Sequence, residues 1–276
     1  MIPPRLALRA IRELSAAELE ARLPRDEKYL TGILIRPAGT DAFEWLQPAQ
    51  RVQAGDDVLL YAIDKTDVDQ LNALNKEFDR HYYPPQRGLS ADESELVRAR
   101  FPARDARVLE VCCGAGRITS HLVREGNRVC GLDFNRHCLA AARGRDGALA
   151  DYVLGDATAL PFADGAFDVT CCLENGFGVL FAHAPSTLAQ MIRVTRAGGR
   201  VIVGLREQAG RPDNLHLYNT RNGLMSVART FDAAAVRALL EGLPAVASGR
   251  IARREDIAGA PRPWGGQTFY VELLVG

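Results

Sequence analysis

The chain has 276 residues, with 34 lysines and arginines against 34 aspartates and glutamates, and so no formal net charge at pH 7. That length allows one large domain, or one domain with a smaller added part, around a sizeable core. Balanced charge gives no long-range field toward nucleic acid or an anionic membrane, so a small-molecule substrate is expected and neither of those partners is.

No run of about 18 apolar residues occurs, and Met1-Ile2-Pro3-Pro4-Arg5 lacks the apolar core of a signal peptide, which points to the cytoplasm. Cys112, Cys113, Cys130, Cys138, Cys171 and Cys172 lie in apolar runs with no C-x-x-C pair. They read as buried, reduced thiols rather than a metal site, since adjacent residues on a strand face opposite sides.

Residues 1–65 show no repeating strand and helix pattern and read as a small N-terminal α+β cap. In it, Ser15-Ala16-Ala17-Glu18 is a capping box with Leu14 and Leu19 as a hydrophobic staple. This predicts a short helix from Ala16 to Leu23, stopped at Pro24. Tyr29 to Arg36 and Val58 to Ile63 read as strands. So small a core calls for packing on the main domain.

Residues 66–104 read as a connecting helix and loop. Thr66-Asp67-Val68-Asp69 opens the helix, with Val68, Leu71, Leu74 and Phe78 near one side. Pro84-Pro85 holds the preceding residues extended, so Tyr82 and Tyr83 fall on a connection. There they either line the mouth of the binding fold or anchor the loop.

From Asp105 the pattern becomes regular and defines a main domain over 105–276. Strand Arg107 to Cys112 leads to a helix from Arg117 to Arg124, with Gly126 past its end. Strand Arg128 to Leu132 leads to a helix capped by Asn135 and stopped near Gly144. Strands Tyr152 to Leu154 and Phe167 to Leu173 follow, then a helix begun by Pro185 and Ser186 and ended by Gly198-Gly199 before strand Arg200 to Leu205. A helix capped by Asp232 precedes two last strands, Val246 to Arg253 and Gln267 to Leu274, with no helix between them. The fold class is therefore α/β. It is a Rossmann-like, doubly wound, mostly parallel seven-stranded sheet ending in an antiparallel hairpin.

The turn after the first of these strands decides the ligand. Dinucleotide binding asks for G-x-G-x-x-G, whereas Gly114-Ala115-Gly116-Arg117-Ile118-Thr119 ends in threonine. No Gly-Lys-Ser/Thr follows a glycine loop anywhere. Glu110, at the strand end, sets a negative charge where a pyrophosphate would lie and suits a ligand that carries positive charge instead.

These residues resemble the class I S-adenosylmethionine-dependent methyltransferases, of the type acting on small molecules. Glu110-Val111-Cys112-Cys113-Gly114-Ala115-Gly116 is similar to the family's first motif, with Cys112 where its first glycine is often found. Asp133, 19 residues after Gly114, matches the ribose-binding acid. Gly155-Asp156-Ala157, Leu160-Pro161-Phe162 and Asp164-Gly165-Ala166-Phe167-Asp168 are similar to the third and fourth motifs, where the acid matching Asp156 accepts from the adenine amino group. The resemblance covers 105–276. It implies S-adenosyl-L-methionine as cofactor, with contacts at Glu110, Cys112, Gly114, Gly116, Asp133, Phe134, Asp156, Ala157 and Leu173. Carboxylates suit the ligand's ammonium and hydroxyls, and N–H groups at a helix start suit its carboxylate.

Methyl transfer from an activated sulfonium needs alignment more than a strong acid or base. The candidate catalytic residues are Glu174 and Asn175, after the fourth strand, and Tyr83. Glu174 and Asn175 either hold the cofactor tail or a substrate amine, or cap the next turn. Leu173-Glu174-Asn175-Gly176-Phe177-Gly178 is not the Asn/Asp-Pro-Pro-aromatic sequence of enzymes that methylate nucleic-acid amino groups. His183 reads as a general base or a helix-start residue. His216, Tyr218, Arg221 and Arg229, with Tyr82 and Trp264, are candidates for a substrate pocket. Three functions stay open: a small-molecule methyltransferase whose cap closes over the substrate, an enzyme of the same fold that cyclises the cofactor to azetidine-2-carboxylate with loss of methylthioadenosine, and a non-catalytic cofactor-binding module. The oligomeric state is open too, a homodimer included.

Overall fold

The computed structural model describes residues 5–25, 28–41, 43–46, 49–67, 69–73, 75, 88–89, 91–102, 104–173, 176–206, 215–219, 225–241, 243, 246–253 and 268–276. The chain divides into two compact units, Met1–Tyr82 with Leu215–Val227, and Tyr83–Asn214 with Ala228–Gly276.

The first unit is built on antiparallel pairing. Strands β1 (Arg5–Arg9), β3 (Tyr29–Arg36), β4 (Glu44–Trp45) and β6 (Asp57–Asp64) form a sheet in the order β1-β6-β3-β4, while β2 (Leu14–Ser15) pairs with β5 (Arg51–Val52). The two strands read from sequence are each other's partners, in register from Tyr29 opposite Asp64 to Arg36 opposite Asp57. Leu19, Ile33, Ile35, Val52, Val58 and Leu60 form their shared core. The capping box is present: Ser15 Oγ accepts from Glu18 N at 3.3 Å, and Glu18 Oε2 accepts from Ser15 N at 2.8 Å. The helix it starts, α1 (Ala16–Glu20), is shorter than expected. Arg22 N and Leu23 N donate to carbonyls three residues back, at 3.0 Å each, so the end tightens into a turn before Pro24. Residues 69–73 are helical, as Thr66-Asp67 announces.

The second unit opens with α2 (Ala91–Arg100), which the sequence does not announce, because five of its ten residues are charged. Its Leu96 and Val97, with Phe101, belong to the core under the sheet, so the main unit takes in a segment expected to be connection. Then come β7 (Arg107–Val111), α3 (Arg117–Arg124), β8 (Arg128–Asp133), α4 (Arg136–Asp146), β9 (Asp151–Leu154), β10 (Phe167–Cys172), α5 (Ala184–Val194) and β11 (Thr195–Arg206). Strands β12 (Leu215–Asn219) and β13 (Met225–Arg229) pair with each other, and Leu215–Val227 groups with the first unit, a break in the expected 105–276 domain. Helix α6 (Ala233–Leu240), β14 (Val246–Arg253) and β15 (Thr268–Val275) complete the chain.

The sheet order is β14-β15-β11-β10-β7-β8-β9. Strands β7 to β11 run parallel, and β15 is antiparallel to both β11 and β14. Alternation along β7 divides the core. Val108 clusters with Ile118 and Leu122 of α3 on one face, and Leu109 and Val111 with Leu188 and Met191 of α5 on the other. Helix α5 ends four residues before Gly198, because β-branched Thr195 already pairs opposite Phe167 and its hydroxyl accepts or donates to Thr170 Oγ1 at 2.8 Å. The register then jumps to Arg200 opposite Val169, looping out 196–199. Among the described residues no helix is long and apolar enough to cross a membrane.

Candidate cofactor site

Strands β7, β8 and β9 are neighbours running the same way, so Glu110, Asp133 and Asp156 stand in a row at their carboxyl ends. Pleat alternation puts Glu110 on the α3 side of β7. It is 4% exposed, and its Oε2 accepts from Thr119 N at 2.7 Å and Thr119 Oγ1 at 2.5 Å. The residue that breaks the dinucleotide pattern thus supplies both donors that fasten the first turn of α3 to the strand end. Burial pushes the Glu110 carboxyl up to about 7, against the pull of those two bonds.

Between strand and helix the backbone turns through three left-handed residues, Cys112 (φ 57°), Gly114 (φ 54°) and Gly116 (φ 69°). This explains why glycine is the usual residue at the first of these positions. Cys112 holds it at some strain, and the neighbouring Cys172 and burial both push its thiol pKa up. The chain passes so close here that a Cβ on Gly176 would stand 3.0 Å from both Cys112 Cβ and Cys172 Sγ. Cys171 and Cys172 are both fully buried and belong to opposite core clusters, as strand alternation requires. All six cysteines are free thiols, and among the described residues no three His, Cys, Asp or Glu side chains gather as a metal-binding group.

Asp133, 6% exposed, holds the same turn from the next strand. Its Oδ2 accepts from Gly114 N at 2.8 Å and its Oδ1 from Asn135 N at 2.8 Å. Burial raises its pKa, opposed by the backbone donors of Asn135, Gly114 and Phe134. Each oxygen so used retains a second lone pair, enough for the two hydroxyls of a ribose. Asn135 caps α4 as its position announces, accepting from His137 N at 3.0 Å, and its buried Nδ2 has no hydrogen-bond partner among the described residues.

Asp156 is exposed, and its Oδ1 accepts from the N and Oγ1 of Thr158, both at 2.8 Å. Gly155 N donates to Asp133 O at 3.1 Å, tying this turn to the end of β8. Ala157 and Leu160 are buried in the core beside it. Arg193 of α5 fixes the rest of the loop by donating to Leu160 O and Phe162 O, each at 2.9 Å, and to Asp164 Oδ1 at 2.6 Å.

Of the other residues singled out from sequence, Phe134 is half-buried, and Leu173 is 7% exposed within the core cluster of Leu96, Val97 and Phe101. Exposed His183 stands at the start of α5. His216 and Tyr218 fall on β12, and Arg229, exposed, ends β13. The three candidate catalytic residues, Glu174, Asn175 and Tyr83, lie outside the described residues, as do Tyr82, Arg221 and Trp264. Sequence reasoning missed Thr119 as the partner of Glu110, although its place at the third position of a helix was a signal. It also missed Arg193, which acts across about thirty residues and leaves no local trace.

A parallel sheet with its seventh strand reversed, and a left-handed glycine turn between strand-end acids, defines a Rossmann-like nucleoside-cofactor domain. Comparison with known proteins places it further. A family model described as a methyltransferase domain matches residues 108–199. A demethylmenaquinone methyltransferase of Beutenbergia cavernae is 41% identical over 98 residues, 35% of this chain and 39% of that protein. One from Thermobifida fusca is 32% identical over 178 residues, 60% of this chain and 74% of that protein. A solved S-adenosylmethionine-dependent methyltransferase from Methanosarcina mazei superposes with a TM-score of 0.53 at 16% identity, over 68% of this chain and 99% of that one. The chain belongs to the class I S-adenosylmethionine-dependent methyltransferases, and S-adenosylmethionine is its family's cofactor. It spans only 39% to 58% of the length of the first curated relatives it matches.

The residues present fit that cofactor. The carboxylates of Glu110, Asp133 and Asp156 have the chemistry to accept from an ammonium and hydroxyls, and Gly116 is a position that no side chain can fill. A Cβ on Gly116 would stand 2.8 Å from two ring atoms of Tyr152.

Proposed function

We propose that the protein transfers the methyl group of S-adenosylmethionine to a small organic acceptor. The observation that carries this reading is the row of Glu110, Asp133 and Asp156 on the ends of three adjacent strands, with Asp133 hydrogen-bonded to the glycine turn and Glu110 to the first turn of α3. In this reading Asp133 receives the ribose hydroxyls and Asp156 the adenine amino group. Phe134 and Ala157 flank the base, Gly114 and Gly116 admit the amino-acid end, and Glu110 supplies negative charge near the ammonium. Cys112 and Leu173 lie along the same edge. When bound, the sulfonium supplies a methyl group already activated for in-line displacement, so the chain's task is to hold, align and exclude water. Glu174, Asn175 and Tyr83 are assigned to the acceptor side. Zero net charge favours a small acceptor over nucleic acid.

Because relatives named demethylmenaquinone methyltransferases share the matched segment, demethylmenaquinone is the first acceptor to try. The protein is incubated with S-adenosylmethionine and acceptor, and the products are separated by mass. S-adenosylhomocysteine in equal amount to methylated acceptor is expected. Release of methylthioadenosine instead would overturn methyl transfer and favour intramolecular cyclisation.

A further inference from the structure

A buried polar group behind the glycine turn has no part in the roles assigned so far. Asp146 ends α4 with 6% of its surface exposed, where a carboxylate meets the negative end of the helix dipole and loses its hydration. It is retained there by a full set of donors. Its Oδ2 accepts from Ser120 Oγ at 2.6 Å, Tyr152 OH at 2.5 Å and Arg145 Nη2 at 2.7 Å, and its Oδ1 from Arg145 Nε at 3.0 Å. Although burial works to raise it, these bonds hold the Asp146 carboxyl at about 2. The group is therefore charged at neutral pH, and Tyr152, its own pKa raised by burial and by this bond, stays a donor.

Arg145 Nη2 uses its second N–H to donate to the carbonyl of Gly116 at 2.9 Å, and Ser120 Oγ, whose single proton serves either Asp146 or this oxygen, stands 2.8 Å from it. Gly116 is the N-cap of α3, and its peptide link to Arg117 is planar and trans, so gripping the oxygen fixes the direction of the opposite N–H. The fold makes room for the arrangement. A Cβ on Gly131 of β8 would stand 2.9 Å from the Tyr152 ring and from Cys113 Sγ, so only glycine lets the tyrosine lie under the turn.

We propose that Arg145, Asp146, Ser120 and Tyr152 are positioning residues that set the Gly116 peptide and thereby aim the start of α3 at the carboxylate of the bound cofactor. This rests on the reading that the turn holds S-adenosylmethionine. It assigns the network an effect on one end of the ligand only, which a general packing role would not have.

Two ligands separate the cases. S-adenosylhomocysteine carries the amino-acid carboxylate, and methylthioadenosine has the adenosine and the sulfur without it. Affinities of the full chain for both are measured by calorimetry for the unsubstituted protein, Arg145→Gln and Tyr152→Phe, with the thermal midpoint of each. The expected result is a loss of about tenfold for S-adenosylhomocysteine in both variants, with methylthioadenosine within about twofold of the unsubstituted protein. Arg145 is partly exposed, so Arg145→Gln keeps the test available if Tyr152→Phe fails to fold. Equal losses for the two ligands, or no loss for S-adenosylhomocysteine, would overturn the proposal. Failure of the unsubstituted chain to bind either ligand would instead overturn the cofactor reading beneath it.

Discussion

Cys112 and Glu110, two residues apart, show what the turn demands of single side chains. Cys112 adopts φ 57°, a region that costs a non-glycine residue about 1–2 kcal/mol. Cys112→Gly should therefore keep cofactor affinity and lose little stability. Cys112→Val, β-branched at a left-handed position, should lose about 2 kcal/mol or more in urea unfolding. Equal stability of the two variants would remove strain from the account. Glu110 is raised to about 7, so the folded state holds its proton more tightly than the unfolded chain does. Its contribution to stability is full below the ordinary carboxylate pKa and is lost as pH rises through about 7. Glu110→Gln, neutral throughout, should flatten the fall in unfolding free energy between about pH 5 and 8. Parallel curves for the two proteins would contradict the assignment.

At the scale of elements, the ones with local chemical punctuation were legible. Ser15, Asn135 and Asp232 each cap the helix their position announces, and β14 spans the residues read from sequence. Elements set by distant contacts were not. The charged α2 is a helix because Leu96 and Val97 reach a core formed by β7, β8 and α3, and α5 stops early because Thr195 is taken up by the sheet. The loop after β9 is a similar case, since its shape depends on Arg193, about thirty residues away. Arg193→Ala frees three acceptors of that loop at once and, if the loop serves the adenosine end as proposed, should weaken S-adenosylhomocysteine and methylthioadenosine equally. Calorimetry with both ligands checks this, and a loss confined to S-adenosylhomocysteine would contradict it.

At the scale of the molecule, the second unit carries the sheet and all three strand-end acids, while the first is a separate antiparallel sheet with its own core. The strand-end acids and the glycine turn were legible because each stretch is contiguous: an acid, a turn and a helix start within ten residues, then an acid at the next strand end. The Asp146 network and the grouping of Leu215–Val227 with the first unit were not, since both depend on residues far apart in sequence. Binding of S-adenosylmethionine at the ends of β7, β8 and β9 is tested by calorimetric titration of the full chain and of Asp133→Ala. One molecule bound per chain is predicted, with affinity reduced by about 1.5–3 kcal/mol in the variant through loss of a charged acceptor. No binding by the unsubstituted chain, or the same affinity in both, would contradict it.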